Sequence, residues 1–309
     1  MGGIMDKSEE LTEESAREKV VAFFKNIEEK GWAGIEEEFN QGHRQECKEL
    51  NRDTRYVLTF NVPPEGDFYD ANKVEMPGVE VKFIVGSKPN DASAEETFWR
   101  MIYDSSATNI FVLGQMPNEK ELGSFVPFTA LTSKDFGKIS VMNKKATATD
   151  RDFQAILEVL PDGCSNSIIT RLICAQFWPD SHEAPLRRLA LHLVRLLRTE
   201  PGKESQNTVV VCNDGISQSA TFILLHSALS RLISNEDANI PELLDKLRSS
   251  RWGSIQTVEQ YVLVHCKDCK LYKEYVEKSM AALKNHLTKK AKAAPKSEEE
   301  FKSARSPSS

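Results

Sequence analysis

The residues with the clearest chemical potential lie in one run, Cys212-Asn213-Asp214-Gly215-Ile216-Ser217-Gln218-Ser219. A short apolar strand, Thr208-Val209-Val210-Val211, precedes it, and residues 220–233, apolar on most faces, follow as a helix. A loop between a strand and a helix N-terminus turns successive backbone N–H groups inward. There the helix dipole favours an anion such as phosphate and lowers the pKa of a thiol at the loop's start. Cys212 stands in a nucleophile's place, although a buried cysteine is as often an inert apolar filler. In Phe177-Trp178-Pro179-Asp180, Asp180 is a candidate general acid, or simply the turn former that an Asp after Pro commonly is. In Ile255-Gln256-Thr257-Val258-Glu259-Gln260-Tyr261, Gln256 and Gln260 are candidates for positioning water, while Thr257 and Gln260 also have the spacing of a helix capping box. The cysteines of His265-Cys266-Lys267-Asp268-Cys269 are read as two thiols one helical turn apart, because no second pair follows to complete a metal site. No metal and no cofactor is expected.

These runs, in this order, resemble the protein tyrosine phosphatase family, whose signature is His-Cys, five residues, Arg, then Ser or Thr. The Trp178-Pro179-Asp180 segment, with Pro185 shortly after, resembles the family's mobile general-acid loop, and Gln256 and Gln260 resemble its two water-positioning glutamines. Phe83-Ile84-Val85-Gly86-Ser87-Lys88-Pro89 and Phe98-Trp99-Arg100-Met101-Ile102 fall where family members have comparable strand and helix segments. The resemblance extends over about residues 30–280. It implies an α/β fold of the α+β type, a twisted mixed sheet flanked by helices. It also implies a route in which Cys212 attacks, Asp180 protonates the leaving phenol, and Asp180 with Gln256 and Gln260 directs the hydrolytic water.

The departures from the signature are as informative as the matches. Gln218 stands where the family has Arg, Val211 where it has His, and Ser217 where it has Gly. The family's guanidinium grips two equatorial oxygens of the transferring phosphoryl group, a planar fork that a neutral amide does not reproduce. Losing such a bidentate pair costs roughly 3–6 kcal/mol of transition-state stabilisation, comparable with the ~10³–10⁵ in rate that arginine fingers supply. Val211 also removes a member of the network that, in the family, helps hold the cysteine as thiolate. Asp214 adds a negative charge to an anion site, as related phosphoinositide phosphatases also do while remaining active. The family's Asn-Arg-Tyr loop, whose ring stacks on the substrate phenol, reads Asn51-Arg52-Asp53 here, and the nearest tyrosine is Tyr56. The expectation is a catalytically impaired pseudophosphatase that binds a protein partner, tyrosine-phosphorylated or not, without turning it over. Two alternatives stand beside it: an active tyrosine phosphatase, and a pure interaction scaffold with no phosphate site.

Hydrophobic periodicity locates the elements that must bring these segments together. Thr12, Glu13 and Glu14 open a helix whose Ala16, Val20, Phe24 and Ile27 recur at helical spacing until Gly31, and residues 34–39 form a second short helical stretch. Strands are expected at 56–60, along the alternating Val79, Val81, Phe83 and Val85, and at 110–113, 138–142, 152–160, 167–176 and 208–211. Neighbouring runs joined by short turns imply antiparallel pairing. Helices are expected at 95–103, 185–197 and 220–233, from Pro241 with Leu243, Leu244 and Leu247 inward, and from Thr257 past Met280. The organisation expected is an acidic helical extension over 1–29, the phosphatase-like domain over 30–284 and a disordered charged tail over 285–309.

Composition narrows the classes further. In 309 residues, 40 Lys+Arg against 46 Asp+Glu leave a net charge of −6, which lacks the basic field that nonspecific nucleic-acid binding requires. Hydrophobic residues at 40% and charged residues at 28% are those of a compact globular chain. No apolar run approaches a membrane span, the first residues are acidic rather than signal-like, and Asp6 occupies the place where a myristoylation start wants Ser or Thr. The six cysteines, Cys47, Cys164, Cys174, Cys212, Cys266 and Cys269, show no framework spacing, so reduced thiols and a cytoplasmic location are expected.

Overall fold

The computed structural model describes residues 13–42, 50–62, 66–114, 124–149, 152–175 and 207–265. In chain order its strands are β1 (Arg55–Val57), β2 (Phe68–Val74), β3 (Lys82–Ser87), β4 (Asn109–Leu113), β5 (Ser133–Phe136), β6 (Ile139–Ala148), β7 (Asp152–Pro161), β8 (Ile168–Ala175) and β9 (Asn207–Cys212). The helices are α1 (Glu13–Gln41), α2 (Ala92–Asp104), α3 (Gln218–Ile233), α4 (Ile240–Ser250) and α5 (Val258–Val264).

Residues 83–85, 110–113 and 209–211 are near-continuous apolar runs, the pattern of strands covered on both faces, and they form the parallel centre of the sheet. The spatial order is β1-β2-β3-β9-β4-β8-β7-β6-β5, with β3, β9, β4 and β8 parallel and antiparallel pairs on either side. This is the mixed, helix-flanked sheet expected from the sequence. Two hydrophobic cores lie on its two faces. Phe83, Val85, Phe111 and Val210 point with Cys212 toward α1, α3, α4 and α5. Ile84, Ile110, Val112, Val209 and Val211 point toward α2, where Trp99 is fully buried with its Nε1 donating to the Phe125 carbonyl at 2.8 Å. The two-residue period of β9 thus decides that Cys212 faces the α3 side and Val211 the opposite one.

Helix starts follow local chemistry. Asp91 caps α2 by accepting from the Ala94 N–H, and Asn239 caps α4 by accepting from the Glu242 N–H, with Pro241 in the first turn. α1 comprises two helical segments either side of Gly31, whose φ of 60° and ψ of −176° interrupt the helix, and Val20, Ile35 and Phe39 from both segments enter the core. The break at Gly31 lies beside the boundary expected at residues 29/30, and residues from both segments share one core.

Several expected strands shift. The run expected at 56–60 pairs only over Arg55–Val57, because Asp104 captures Thr59 through both its N–H and its hydroxyl and draws the chain off the sheet. Val79 and Val81 precede β3 rather than belong to it. β2 and β5 have no counterpart in the expected set. Phe-Tyr-Asp-Ala-Asn-Lys-Val and Ser-Lys-Asp-Phe carry polar residues that mask a strand pattern. The helix expected at 185–197, the continuation of α5 past residue 265 and the charged tail lie outside the described residues.

Candidate functional site

β9 sits between β3 and β4, so its C-terminal end opens where parallel strands conventionally present ligand sites. Cys212 is its last residue, and the chain turns through 213–217 before α3 begins. The turn is held against β3: the Lys88 N–H donates to the Cys212 carbonyl at 2.7 Å. Gly215 adopts φ +68°, and a Cβ there would lie 2.4 Å from the Gly86 carbonyl carbon, so glycine is required at this close approach. The expected order of strand, loop and buried helix is present.

The interior of the loop is arranged differently from an open anion cradle. The Oδ1 of Asp214 accepts from the Ile216 N–H at 2.9 Å and the Ser217 N–H at 3.0 Å, and the Cys212 thiol donates to the same oxygen at 3.2 Å. The Ser217 hydroxyl donates to Oδ2 at 2.5 Å, and although Ser217 is the N-cap of α3, its side chain makes no capping bond. Two successive backbone donors of the loop are thus engaged by an acid of the same loop. Burial opposes the charge of Asp214, but the bonds from Ser217, Ile216 and Cys212 prevail and hold its carboxyl below the usual range.

Cys212 is fully buried, and its Sγ lies 3.1 Å from the Ser219 hydroxyl. Burial pushes the thiol above its ordinary pKa, the Asp214 charge pushes it further, and the Ser219 contact opposes both. A nucleophilic cysteine needs the reverse shift. Gln218 opens α3 and is buried at 8% exposure.

The carbonyl side of the loop is gripped by Arg251, a residue not singled out in the sequence. Its guanidinium, almost completely buried, pairs with Asp70 at 2.6 and 3.1 Å and donates to the Asn72 side-chain Oδ1 at 2.9 Å. It also donates to the Gly215 and Asp214 carbonyls at 3.3 and 3.4 Å. The available signal was Asp70 and Asn72, two polar residues at strand spacing in a run otherwise suited to β structure. Ile255, buried with φ +56°, donates its N–H to the Ile216 carbonyl at 3.0 Å, and Arg248 holds the Ile255 and Ser254 carbonyls at 2.8 and 3.0 Å. A β-branched residue in the left-handed region is strained, and here the surrounding bonds fix it beside the loop.

Of the two glutamines, Gln256 is exposed, while Gln260 spends its side chain on the start of α5. Its Oε1 accepts from the Gln256 N–H at 3.0 Å, and its own N–H donates to Thr257 Oγ1 at 3.4 Å. Asp180 lies outside the described residues. Asn51 is buried, donates to the Ser249 carbonyl at 2.6 Å and accepts from the Asp53 N–H at 3.0 Å, so this loop is anchored beside α4. Tyr56 does not provide the missing aromatic wall: it is buried, and its hydroxyl donates to Asp104 at 3.1 Å. His265 hydrogen-bonds the Tyr261 carbonyl oxygen at 3.0 Å, and Cys266 and Cys269 lie outside the described residues. Among the described residues no cluster of His, Cys, Asp or Glu is placed to hold a metal ion, Cys164, Cys174 and Cys212 are free thiols, and no helix is long and apolar enough to cross a membrane.

Known proteins bear on this arrangement directly. Two Caenorhabditis elegans proteins provisionally named tyrosine-protein phosphatases are similar to the chain. One is 29% identical over 200 residues, 64% of this chain and 49% of its own, and the other is 24% identical over 245 residues, 72% and 54% respectively. Human receptor-type tyrosine-protein phosphatase epsilon is 23% identical over 245 residues, 77% of this chain and 34% of its own. The chain spans about half the length of the two C. elegans relatives. The model of the protein-tyrosine phosphatase family matches residues 40–267, a stretch that holds every strand of the sheet and the Cys212 loop. A match over most of the chain, on a mixed sheet with a cysteine loop at its centre, means that this protein belongs to the protein-tyrosine phosphatase family.

Proposed function

We propose that this is a pseudophosphatase domain, which binds a protein partner through a phosphatase surface without hydrolysing phosphate. The observation that carries the reading is Gln218 in the place of the signature arginine, at the start of α3. Without a guanidinium, nothing in the loop grips two equatorial oxygens of a transferring phosphoryl group. The raised pKa of Cys212 and its hydrogen bond to Asp214 work in the same direction, because both favour the thiol over the attacking thiolate. A cytoplasmic location, with reduced cysteines, belongs to the same proposal.

The active-enzyme reading keeps one favourable feature, a cysteine at the loop's start with the Ser219 hydroxyl 3.1 Å away. In that reading Cys212 attacks phosphorus, the leaving phenol takes a proton from Asp180, and Gln256 directs water onto the cysteinyl phosphate, with Gln260 assisting. An aryl-phosphate assay separates the two. The expected rate is at least about a thousandfold below a typical ~10 s⁻¹, and Gln218→Arg is expected to raise it. Turnover near one per second that disappears in Cys212→Ser would overturn the proposal.

A further inference from the structure

Three donors of the loop converge on one oxygen. The Ile216 N–H, the Ser217 N–H and the Cys212 thiol all reach Asp214 Oδ1, at 2.9, 3.0 and 3.2 Å, and the second carboxylate oxygen takes the Ser217 hydroxyl. An oxygen bonded at once by a loop-starting cysteine and by successive loop N–H groups occupies the position that a bound oxyanion would take. We propose that Asp214 is an internal stand-in for the phosphoryl group: its carboxylate fills the anion cradle and makes this loop reject phosphorylated ligands.

The inference rests on the reading of the loop as a phosphatase cradle without turnover, and adds the class of ligand that it refuses. An incoming phosphate must displace the carboxylate from two N–H donors and then remain beside its negative charge. No guanidinium stands in the loop to offset that repulsion, because position 218 is Gln. The neighbouring guanidinium, Arg251, is committed elsewhere. It is 4% exposed, paired with Asp70 and Asn72, and bonded to the carbonyl side of the loop rather than to its N–H side. Ser217 strengthens the closure: its hydroxyl, at a position that is Gly in the family signature, is turned from capping α3 to holding Asp214. A partner segment recognised at this loop is therefore unphosphorylated.

Calorimetric titration of wild type, Asp214→Ala and Asp214→Asn with inorganic phosphate, a phosphotyrosine peptide and its unphosphorylated form tests this. Asp214→Ala, which frees both N–H groups and removes the charge, is expected to bind inorganic phosphate and the phosphopeptide at least tenfold more tightly than wild type. Asp214→Asn keeps an oxygen on the N–H groups without the charge and should fall between them. If a thermal melt shows that Asp214→Ala no longer folds, the Asn variant decides, and its affinity for phosphate must exceed wild type several-fold. Wild type binding phosphate as tightly as the folded variants overturns the inference while leaving an inactive loop standing. Rapid turnover by wild type instead refutes the pseudophosphatase reading, whatever the affinities show.

Discussion

Gly215→Ala separates backbone conformation from packing at the turn that shapes the loop. Gly215 has φ +68°, and a Cβ there would lie 2.4 Å from the Gly86 carbonyl carbon, 2.6 Å from the Ser87 N and 2.7 Å from Arg251 Nη2. The first two are backbone atoms of β3, registered against Val211 and Cys212, so they cannot recede without displacing the strand from β9. Placing an L-residue in the left-handed region costs about 1–2 kcal/mol, and forcing an extra methyl against fixed neighbours costs about 1–3 kcal/mol more. The expected loss is about 2–5 kcal/mol, and at about 2–4 °C per kcal/mol for a domain of this size the melting temperature falls by about 4–20 °C. Gly163→Ala is the control, because Gly163 has φ +74° but no heavy atom within 4 Å of its would-be Cβ. It should show only the conformational loss of about 1–2 kcal/mol. Urea unfolding of wild type and both variants, with unchanged m-values, reads the packing contribution as the difference. Equal losses in the two variants would show that the loop does not approach β3 as closely as described.

Two further outcomes follow from the charge environments. Burial works against the charge of Glu38, but hydrogen bonds from His265, Lys30 and Tyr261 outweigh it and bring its pKa from 4.5 down to about 2. A depressed carboxylate stabilises the fold above the unfolded pKa and loses that contribution as pH falls toward the folded one. Glu38→Gln is thus expected to cost about 1–2 kcal/mol at pH 7 once solvent screening of the half-buried carboxylate is counted, with the gap to wild type narrowing below pH 4.5. A gap that urea titrations find constant from pH 7 to pH 3 would contradict this. Cys212, raised above the ordinary 9.0, should be alkylated by iodoacetamide slowly at pH 7, with a half-maximal rate above pH 9. Asp214→Asn should lower that midpoint, and a midpoint below pH 7 in wild type, read by peptide mass spectrometry, would mean that the thiolate is stabilised after all.

Local pattern determines much of this protein. The apolar run Val209-Val210-Val211 before a polar loop and an apolar helix marks β9, the Cys212 loop and α3, because strand and helix periods are properties of neighbouring residues. The capping pair Thr257 and Gln260 is legible for the same reason: both partners lie within one turn. That Gln218 stands where the family resemblance calls for arginine is legible before any fold is drawn. Only tertiary structure reveals that Asp70 and Asn72, on a strand with no clear apolar pattern, meet Arg251 from the far side of the sequence and steady the loop. Only it decides that Tyr56 turns into the core to meet Asp104 instead of walling a pocket. The orientation of Asp214 belongs to the same class. A loop has no period from which to infer direction, so whether its carboxylate faces solvent or its own N–H groups depends on turn angles that Gly215, β3 and Arg251 impose together. The upward shift of the Cys212 thiol is likewise a matter of burial and a neighbouring charge, and both are set by where distant segments pack.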